Sequence, residues 1–277
     1  MQPFNRQISP FCCPNCQGRL FYTEQGLLCE NGHSFDRAKS GYYNLLLPQK
    51  GKNGFHGDNP LMVKARRAFL EKGYYAPLAE ALQETVLRHL PKGGLLLDCG
   101  CGEGYYTNAV AKVLEGETHF VGIDISKTAV DKAARRCKSV QFAVASAFHL
   151  PLRAQSVSML LQIFSPHCTA EFSRVLKKGG IFLEVFPGPM HLYDLKAAVY
   201  DTPYQNEPTP FQMEGYTLLE TQHIENRIFL PTQADIENLF QMTPYYYKTG
   251  KVEQERLQKL EMLSVQTDFY LLVYKKQ

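Results

Sequence analysis

The sequence predicts an α/β protein in which a Rossmann-like domain follows a small N-terminal zinc-binding domain. From Leu95 onward, short apolar runs alternate with helical stretches, which is the pattern of a parallel sheet with crossover helices. Before that point, four of the eight cysteines fall within residues 12–29, and such clustering favours a metal site. We therefore expect a zinc-binding domain at 1–47, a basic flexible linker at 48–60 and the α/β domain at 61–277.

Composition excludes several classes of protein. Of the 277 residues 44% are hydrophobic, which is enough for a sizeable core, and the net charge is only +3. No apolar run approaches the roughly 20 residues that span a bilayer, and the first ten residues contain no apolar segment typical of a secretory signal. We expect a cytoplasmic protein with reduced thiols, in which clustered cysteines bind metal rather than form disulfides.

The clustered cysteines contribute to the pattern C-x2-C-x12-C-x3-H, made by Cys13, Cys16, Cys29 and His33. Thiolate and imidazole ligands at this spacing let two short loops share one tetrahedral zinc ion. Four protein ligands leave no open coordination position, so we expect one structural zinc per chain. The alternative is a metal-free loop in which these residues are merely scattered.

The remaining elements follow from local patterns. Residues 61–90 predict two helices split near Gly73, because apolar positions recur there at helical spacing. Strands are expected at the apolar runs 95–98, 119–124, 140–145, 158–164 and 180–186. The helices between them are expected near 105–115, 127–137 and 168–177. After Pro187 we expect a strand at 216–229, helices at 233–241 and 252–263, and a last strand at 268–274.

The turn after the first predicted strand of the α/β domain has the pattern D-x-G-x-G-x-G, made by Asp98, Gly100, Gly102 and Gly104. Glycines allow a tight turn and a close approach of the backbone to a ligand. A dinucleotide-binding turn has the pattern G-x-G-x-x-G, whereas this spacing is typical of class I S-adenosylmethionine-dependent methyltransferases. Asp124 ends the next strand, where we expect a carboxylate to bind the ribose hydroxyls. A site for NAD or FAD is the alternative.

Two other strand ends bear on the ligand. Ala145 and Ser146 follow the third strand, where many such enzymes place an acidic residue, so the adenine contact stays open. The Asn/Asp-Pro-Pro-Tyr motif of amino-group methylation is missing after the fourth strand, which disfavours an exocyclic amine as the acceptor. Phe164 at that strand end could stack on a base, although aromatic residues in such places often belong to the core.

Taken together, these motifs resemble the bacterial 23S ribosomal RNA (guanine-N(1)-)-methyltransferase family. The resemblance covers nearly the whole chain in order, and the zinc pattern joined to ARRAFL and GEGYYT is its most specific part. The segments that carry it are residues 13–47, 65–78, 97–107, 122–127, 187–196, 241–247 and 266–269.

The resemblance implies both the activity and a set of site residues. It implies methyl transfer from S-adenosylmethionine to N(1) of a guanine in a hairpin loop of 23S rRNA. It also implies a homodimer whose two zinc domains flank an RNA-binding cleft. The four zinc ligands carry over unchanged, and the implied cofactor contacts are Tyr75, Gly102, Glu103 and His191.

The charges near the N-terminus agree with an RNA substrate. Residues 37–67 contain one acidic residue, Asp58, and seven basic ones, at positions 37, 39, 50, 52, 64, 66 and 67. Tyr42, Tyr43 and Phe55 lie among them, and basic groups interleaved with aromatic rings suit phosphates and unstacked bases. An ordinary solvated surface is the alternative explanation.

The catalytic residues stay unassigned. N(1) of guanine carries a proton near neutral pH, so a general base would help, and His167 and His191 are the candidates near strand ends. A methyltransferase acting on a small molecule or another RNA is the rival enzyme. An RNA-binding zinc protein with an inactive core is the rival from another class, and the intact set from Asp98 to Asp124 argues against it.

Overall fold

The computed structural model describes residues 7–47, 57–91, 93–114 and 118–277. Most of the predicted linker, with Lys50, Lys52 and Phe55, lies outside these described residues. Within the described ranges no helix is both long and apolar enough to cross a membrane.

The N-terminal segment forms a four-stranded antiparallel sheet in the order β1-β2-β3-β4. Its strands are β1 (Ile8–Cys12), β2 (Arg19–Tyr22), β3 (Gly26–Cys29) and β4 (Ser34–Asp36). All four predicted zinc ligands lie in the tight turns between these strands or directly next to them. These strands were not predicted, because strands of three to five residues are too short to show periodicity.

The rest of the chain builds an eight-stranded sheet in the order β11-β12-β10-β9-β6-β7-β8-β5. Neighbouring strands from β10 to β5 are parallel, whereas β12 pairs antiparallel with both β10 and β11. The strands are β5 (Tyr43–Asn44), β6 (Leu95–Cys99), β7 (His119–Asp124), β8 (Gln141–Val144), β9 (Val157–Ile163), β10 (Leu176–Pro187), β11 (Tyr216–Leu230) and β12 (Leu263–Lys276). The predicted α/β architecture is confirmed.

Nine helices are found in the described part of the chain: α1 (Pro60–Leu70), α2 (Ala76–His89), α3 (Tyr105–Ala111), α4 (Lys127–Arg136), α5 (Thr169–Val175), α6 (Tyr193–Val199), α7 (Gln233–Gln241), α8 (Tyr245–Lys248) and α9 (Lys251–Gln258). The predicted helix at 252–263 was too long at its C-terminal end. Leu263 already belongs to β12, which pairs with β11 over its whole length. This long antiparallel pairing overrides the local helical pattern.

The two faces of the large sheet are covered differently. One face packs against helices α1–α4, α6, α7 and α9, with Phe69, Leu82 and Phe142 fully buried between them. The other face packs against α5 and the N-terminal sheet, where Phe11 bridges to Leu152. The backbone N–H of Cys12 also donates to the carbonyl of Pro151 at 2.8 Å. The N-terminal sheet therefore shares a hydrophobic core with the large sheet.

Strand β5 connects these two parts of the molecule. It falls inside the segment predicted as the zinc-binding domain, yet Tyr43 and Asn44 pair with β8 at the edge of the large sheet. Tyr22 adds a hydrogen bond of 2.5 Å from its hydroxyl to the side chain of Gln141. Where the domain boundary lies stays a prediction.

Candidate functional site

The structure brings the four predicted metal ligands together. The Sγ atom of Cys16 lies 3.4 Å from Sγ of Cys29 and 3.5 Å from Nδ1 of His33. Cys13 completes the set, with its Sγ 3.5 Å from the same imidazole nitrogen, and all four ligand atoms lie within 4.8 Å of one another. Such spacing matches the edges of a tetrahedron with metal–ligand bonds of about 2.0–2.3 Å. The donor set therefore fits a structural zinc ion.

Hydrogen bonds around these sulfurs favour thiolates. Asn31 donates from its side chain to Cys16 at 3.3 Å and from its backbone to Cys29 at 3.4 Å. Bonds from Asn31 and from the backbone of Gly18 lower the pKa of the Cys16 thiol to about 6. Burial instead raises the pKa of Cys13 to about 11. Of these two thiols Cys16 is the more readily deprotonated, and zinc binds the thiolate form.

The glycine-rich turn after β6 has two kinds of glycine. Gly100, Gly102 and Gly104 all have positive φ angles, of 87°, 54° and 82°. A Cβ atom at Gly100 would collide with Ser165, and one at Gly104 would lie 2.9 Å from Cβ of Ala133. A Cβ at Gly102 would meet only Nη1 of one arginine, Arg66, at 3.9 Å. Gly100 and Gly104 therefore allow close packing, while Gly102 borders the open space in which a ligand can approach the backbone.

The two predicted carboxylates differ in their surroundings. Asp124 at the end of β7 accepts backbone N–H groups from Gly102 at 3.0 Å and Ser126 at 2.8 Å. Asp98 is buried and accepts the hydroxyl of Thr107 at 2.5 Å. Its other oxygen, Oδ1, is buried without a partner among the described residues. Burial raises the pKa of both carboxyl groups, that of Asp98 to about 7. Asp124 therefore lies beside Gly102, whereas Asp98 connects the end of β6 to α3 through Thr107.

Glu103, a predicted cofactor contact, is buried beside the same turn. Its Oε2 accepts a hydrogen bond of 2.6 Å from Arg136 on α4, and that arginine also reaches Glu71 at 3.1 Å. Oε1 of Glu103 is buried without a partner in the described part of the chain. Burial raises the pKa of Glu103, and Arg136 opposes this shift.

Tyr75 and His191, the other predicted cofactor contacts, lie side by side although 116 positions separate them. The Tyr75 hydroxyl lies 3.5 Å from Nε2 of His191, and both rings contact Phe269, with centroid distances of 5.0 and 4.6 Å. Phe164, just after β9, lies 5.4 Å from Phe269. Phe164 is 43% exposed and has a positive φ of 53°, a conformation that is unfavourable for a bulky residue. These rings form one aromatic cluster, in which Phe164 is the exposed member.

His167 lies away from this aromatic cluster. Its Nδ1 lies 3.2 Å from Oε1 of Glu184, and its ring packs against Phe172 and Phe182 at 5.2 and 5.6 Å. Those phenylalanines belong to the core on the opposite face of the sheet from Phe269. This placement disfavours His167 as the general base.

Arg66 and Arg67 also differ from expectation. Both were assigned to a basic surface, but Arg66 pairs with Asp58 and donates to the carbonyl of Met242 at 3.2 Å. Arg67 pairs with Glu71 at 2.8 Å, one helical turn further along α1. Side chains at consecutive helix positions point about 100° apart, so only one of these two arginines can face Gly102. Sequence reasoning missed this because it counted charges without assigning helix faces.

Two families of known proteins match the chain. The family described as RlmA, N-terminal, a zinc ribbon, matches residues 11–54, and the family described as Methyltransferase domain matches residues 90–243. The first match contains the metal-ligand cluster, and the second contains the glycine-rich turn and Asp124.

Three relatives are similar over larger parts of the chain. The 23S rRNA (guanine(748)-N(1))-methyltransferase of Streptomyces fradiae is 39% identical over 192 residues, which cover 68% of this chain and 66% of that relative. YxjB of Bacillus subtilis is 31% identical over 282 residues, covering 97% of this chain and 98% of that relative. A protein of Micromonospora griseorubida is 34% identical over 204 residues, covering 66% of this chain and 67% of that relative. The last two are provisionally assigned as 23S rRNA (guanine-N(1)-)-methyltransferases.

Proposed function

The chain belongs to the bacterial 23S rRNA (guanine-N(1)-)-methyltransferase family, and we propose that it methylates N(1) of a guanine in a hairpin loop of 23S ribosomal RNA. The methyl donor is S-adenosylmethionine, and the metal is a structural zinc. The observation that carries the proposal is the combination, around one large sheet, of a zinc-ligand cluster and a glycine-rich turn next to Asp124. A relative provisionally assigned to this activity matches 97% of this chain.

The cofactor pocket fits the donor. When bound, S-adenosylmethionine supplies a methyl group on a positively charged sulfur, ready for in-line displacement. Asp124 offers a carboxylate for the two ribose hydroxyls, and the backbone at Gly102 leaves room beside it. Buried polar atoms without partners in the described chain, on Asp98 and Glu103, border the same turn. We assign Tyr75 and His191 to the far end of this pocket, as further cofactor contacts.

The acceptor base is accommodated by the aromatic pocket. Phe164 is exposed and held in a strained backbone conformation, which is common where a side chain must be presented to a ligand. A guanine extruded from a hairpin loop can stack on such a ring. Phe269 and Tyr75 behind it fix the pocket wall. The residues thus orient the base more than they alter it chemically, and such alignment provides much of the rate enhancement in displacement reactions.

In this proposal two cations of the zinc ribbon, Arg37 and Lys39, contact the RNA, although residues 7–47 carry no net charge. Both are exposed and line a groove of about 790 Å³ together with Lys138, Glu24 and Asp36. Lys64 on α1 is also exposed. A homodimer would place two such surfaces on either side of one hairpin, as the family resemblance implies.

Methylation of defined RNAs tests the proposal. Purified protein and radiolabelled S-adenosylmethionine are incubated with in vitro transcribed 23S rRNA, with its isolated hairpins and with transfer RNA. Methylation at N(1) blocks Watson–Crick pairing, so reverse transcription should stop beside one loop guanine of the 23S transcript. The Asp124→Ala variant is the control for cofactor dependence. Incorporation into transfer RNA alone, or no incorporation into any 23S transcript, would overturn the proposed substrate.

A further inference from the structure

Arg66 lies beside Gly102 of the glycine-rich turn, which Asp124 also contacts. Its Nη1 would be 3.9 Å from a Cβ atom on Gly102, whose backbone N–H is bonded to Oδ2 of Asp124. The side chain is only 29% exposed. Burial lowers the pKa of Arg66, and the carboxylate of Asp124 is the strongest influence that opposes this shift. Asp124 and Arg66 therefore flank the same open space with opposite charges.

Two contacts hold the guanidinium in place. Nη1 pairs with Asp58, and Nη2 donates to the carbonyl of Met242 at the end of α7. A guanidinium has five N–H groups, so these two contacts leave donors to spare. The bond to Met242 joins Arg66 on α1 to the end of α7. It therefore restricts rotation of the guanidinium and of its remaining N–H groups.

The hydroxyl of Tyr106 is the second unused group in this region. Tyr106 lies in the first turn of α3, two residues after Gly104, and its ring contacts Phe164 with a centroid distance of 6.2 Å. The hydroxyl oxygen is buried and has no hydrogen-bond partner among the described residues. A buried hydroxyl left unpaired has lost its hydrogen bonds to water without gaining others. A ligand that accepts a hydrogen bond there would remove this cost.

The two groups lie close enough to influence each other. Burial raises the pKa of Tyr106 well above its ordinary value, and the nearby guanidinium of Arg66 opposes this shift. Tyr106 is therefore a neutral O–H donor near pH 7, beside a cation that can only donate. Both donors thus border the glycine-rich turn, Arg66 beside Gly102 and Tyr106 two residues after Gly104, with the Tyr106 ring against Phe164.

We propose that Arg66 and the Tyr106 hydroxyl bind the α-carboxylate of S-adenosylmethionine. This carboxylate is the only anionic group of the cofactor, whose sulfur and amino groups are both cationic and would be repelled by a guanidinium. With the ribose on Asp124, the amino-acid end of the cofactor extends past Gly102, where both donors lie. Bidentate pairing with a carboxylate is the geometry for which arginine is best suited.

Asp58 contacts both Arg66 and the segment that follows Asp124. The carboxylate of Asp58 pairs with Arg66, while its backbone carbonyl accepts the hydroxyl of Ser126 at 2.8 Å. Asp58 thereby ties the segment before α1 to the strand end that carries Asp124. The guanidinium keeps this partner while its N–H groups without a partner among the described residues remain available to the cofactor carboxylate.

Two ligands that differ in one part of the molecule test the proposal. S-adenosylhomocysteine contains the amino-acid carboxylate, whereas 5′-methylthioadenosine has the same nucleoside but lacks the amino-acid portion. Calorimetry should show that Arg66→Gln weakens binding of the first ligand at least tenfold and changes binding of the second less than twofold. Tyr106→Phe, which removes one oxygen and keeps the ring, should weaken only the first ligand, by about threefold to tenfold. Arg67→Gln is the matched control and should change neither affinity.

The outcomes separate this proposal from other roles. Equal loss for both ligands in Arg66→Gln would mean that the arginine supports the nucleoside end or the fold, and would overturn the proposal. Unchanged affinity for both ligands in Arg66→Gln and Tyr106→Phe would overturn it as well. These measurements use no RNA, so they stand whether or not 23S rRNA is the substrate.

Discussion

The Nδ1 atom of His191 accepts the backbone N–H of Asp268 at a distance of 3.3 Å. A peptide N–H can only donate, so Nδ1 carries the lone pair and the ring proton resides on Nε2. That nitrogen faces the Tyr75 hydroxyl. Burial, with a smaller effect of Lys196, lowers the pKa of His191 to about 3. His191 is therefore a neutral hydrogen-bond donor, and it is a poor choice for the base that removes the guanine proton.

Stability should depend on pH through this histidine. Unfolded His191 takes up a proton below about pH 6.5, whereas the folded side chain does so only near pH 3. Stability is therefore fully present above pH 6.5 and falls as the pH drops below it. Between pH 7 and pH 5 this residue should remove roughly 2 kcal/mol from the free energy of unfolding.

This prediction is tested by urea unfolding of the wild type and of His191→Gln at pH 7 and pH 5, with zinc present. The variant should lose less stability between the two values than the wild type does. Since both proteins share every other titrating group, the difference isolates this side chain. Identical pH dependence in the two proteins would show that His191 protonates normally in the folded state.

The contact between His191 and Asp268 also shows what the sequence alone can and cannot predict. The partnership of Gly102 and Asp124 was foreseeable, because both follow adjacent parallel strands whose carboxyl ends meet at one edge. Asp268 and Phe269 were not foreseeable as site residues by the same reasoning. They lie in the middle of a long antiparallel strand, and only the pairing of β12 with β10 brings them beside the loop that holds His191.

Arg66 illustrates a second limit. Local charge counting placed it on an RNA-binding surface, yet it turns toward the cofactor pocket. A helix start can be read from the sequence, as the cap at Asn59 and the following Pro60 show. The direction in which each polar side chain points depends on how the helix docks against α7, and that contact is between residues far apart in sequence.

Loss of one zinc ligand should disturb the whole N-terminal sheet. Freshly purified protein should contain about one zinc ion per chain, and Cys16→Ser should lower this content and destabilise residues 11–47, since metal binding there is folding energy. The exposed Cys16 ligand is a good choice because its replacement leaves the buried core of the ribbon intact. Elemental analysis and limited proteolysis measure the two effects. Native protein that contains no metal would contradict the structural assignment.

Asp124→Ala should weaken both cofactor fragments, in contrast to Arg66→Gln. Each charge-assisted bond to a ribose hydroxyl is worth about 1.5–3 kcal/mol, so tenfold or greater loss is expected for S-adenosylhomocysteine and for 5′-methylthioadenosine alike. Asp124→Asn keeps an acceptor for the backbone N–H groups of Gly102 and Ser126 and should lose less. Calorimetry of both ligands with the two variants provides the measurement. Unchanged binding of the nucleoside by Asp124→Ala would place the ribose elsewhere.

The last prediction concerns which basic residues contact RNA. Lys39 and Lys64 are exposed, and the described residues contain no carboxylate paired with either one, whereas Arg67 is paired with Glu71. Only a cation that is not already neutralised releases a full counterion when it meets a phosphate. Replacing Lys39 and Lys64 with glutamine should therefore weaken RNA binding and reduce the slope of log affinity against log salt, by roughly 0.7–0.9 for each lost phosphate contact.

Arg67→Gln is the matched control for this experiment, because it removes the same charge from a paired side chain on the same helix as Lys64. Its salt slope should stay close to that of the wild type. Filter binding of a 23S hairpin between 50 and 300 mM salt measures the slopes, and calorimetry with S-adenosylhomocysteine verifies that the pocket is intact. A change in slope for Arg67→Gln about half as large as that for the double lysine variant would mean that net charge alone matters. An unchanged slope for the lysine variant would place the RNA contacts on another surface of the molecule.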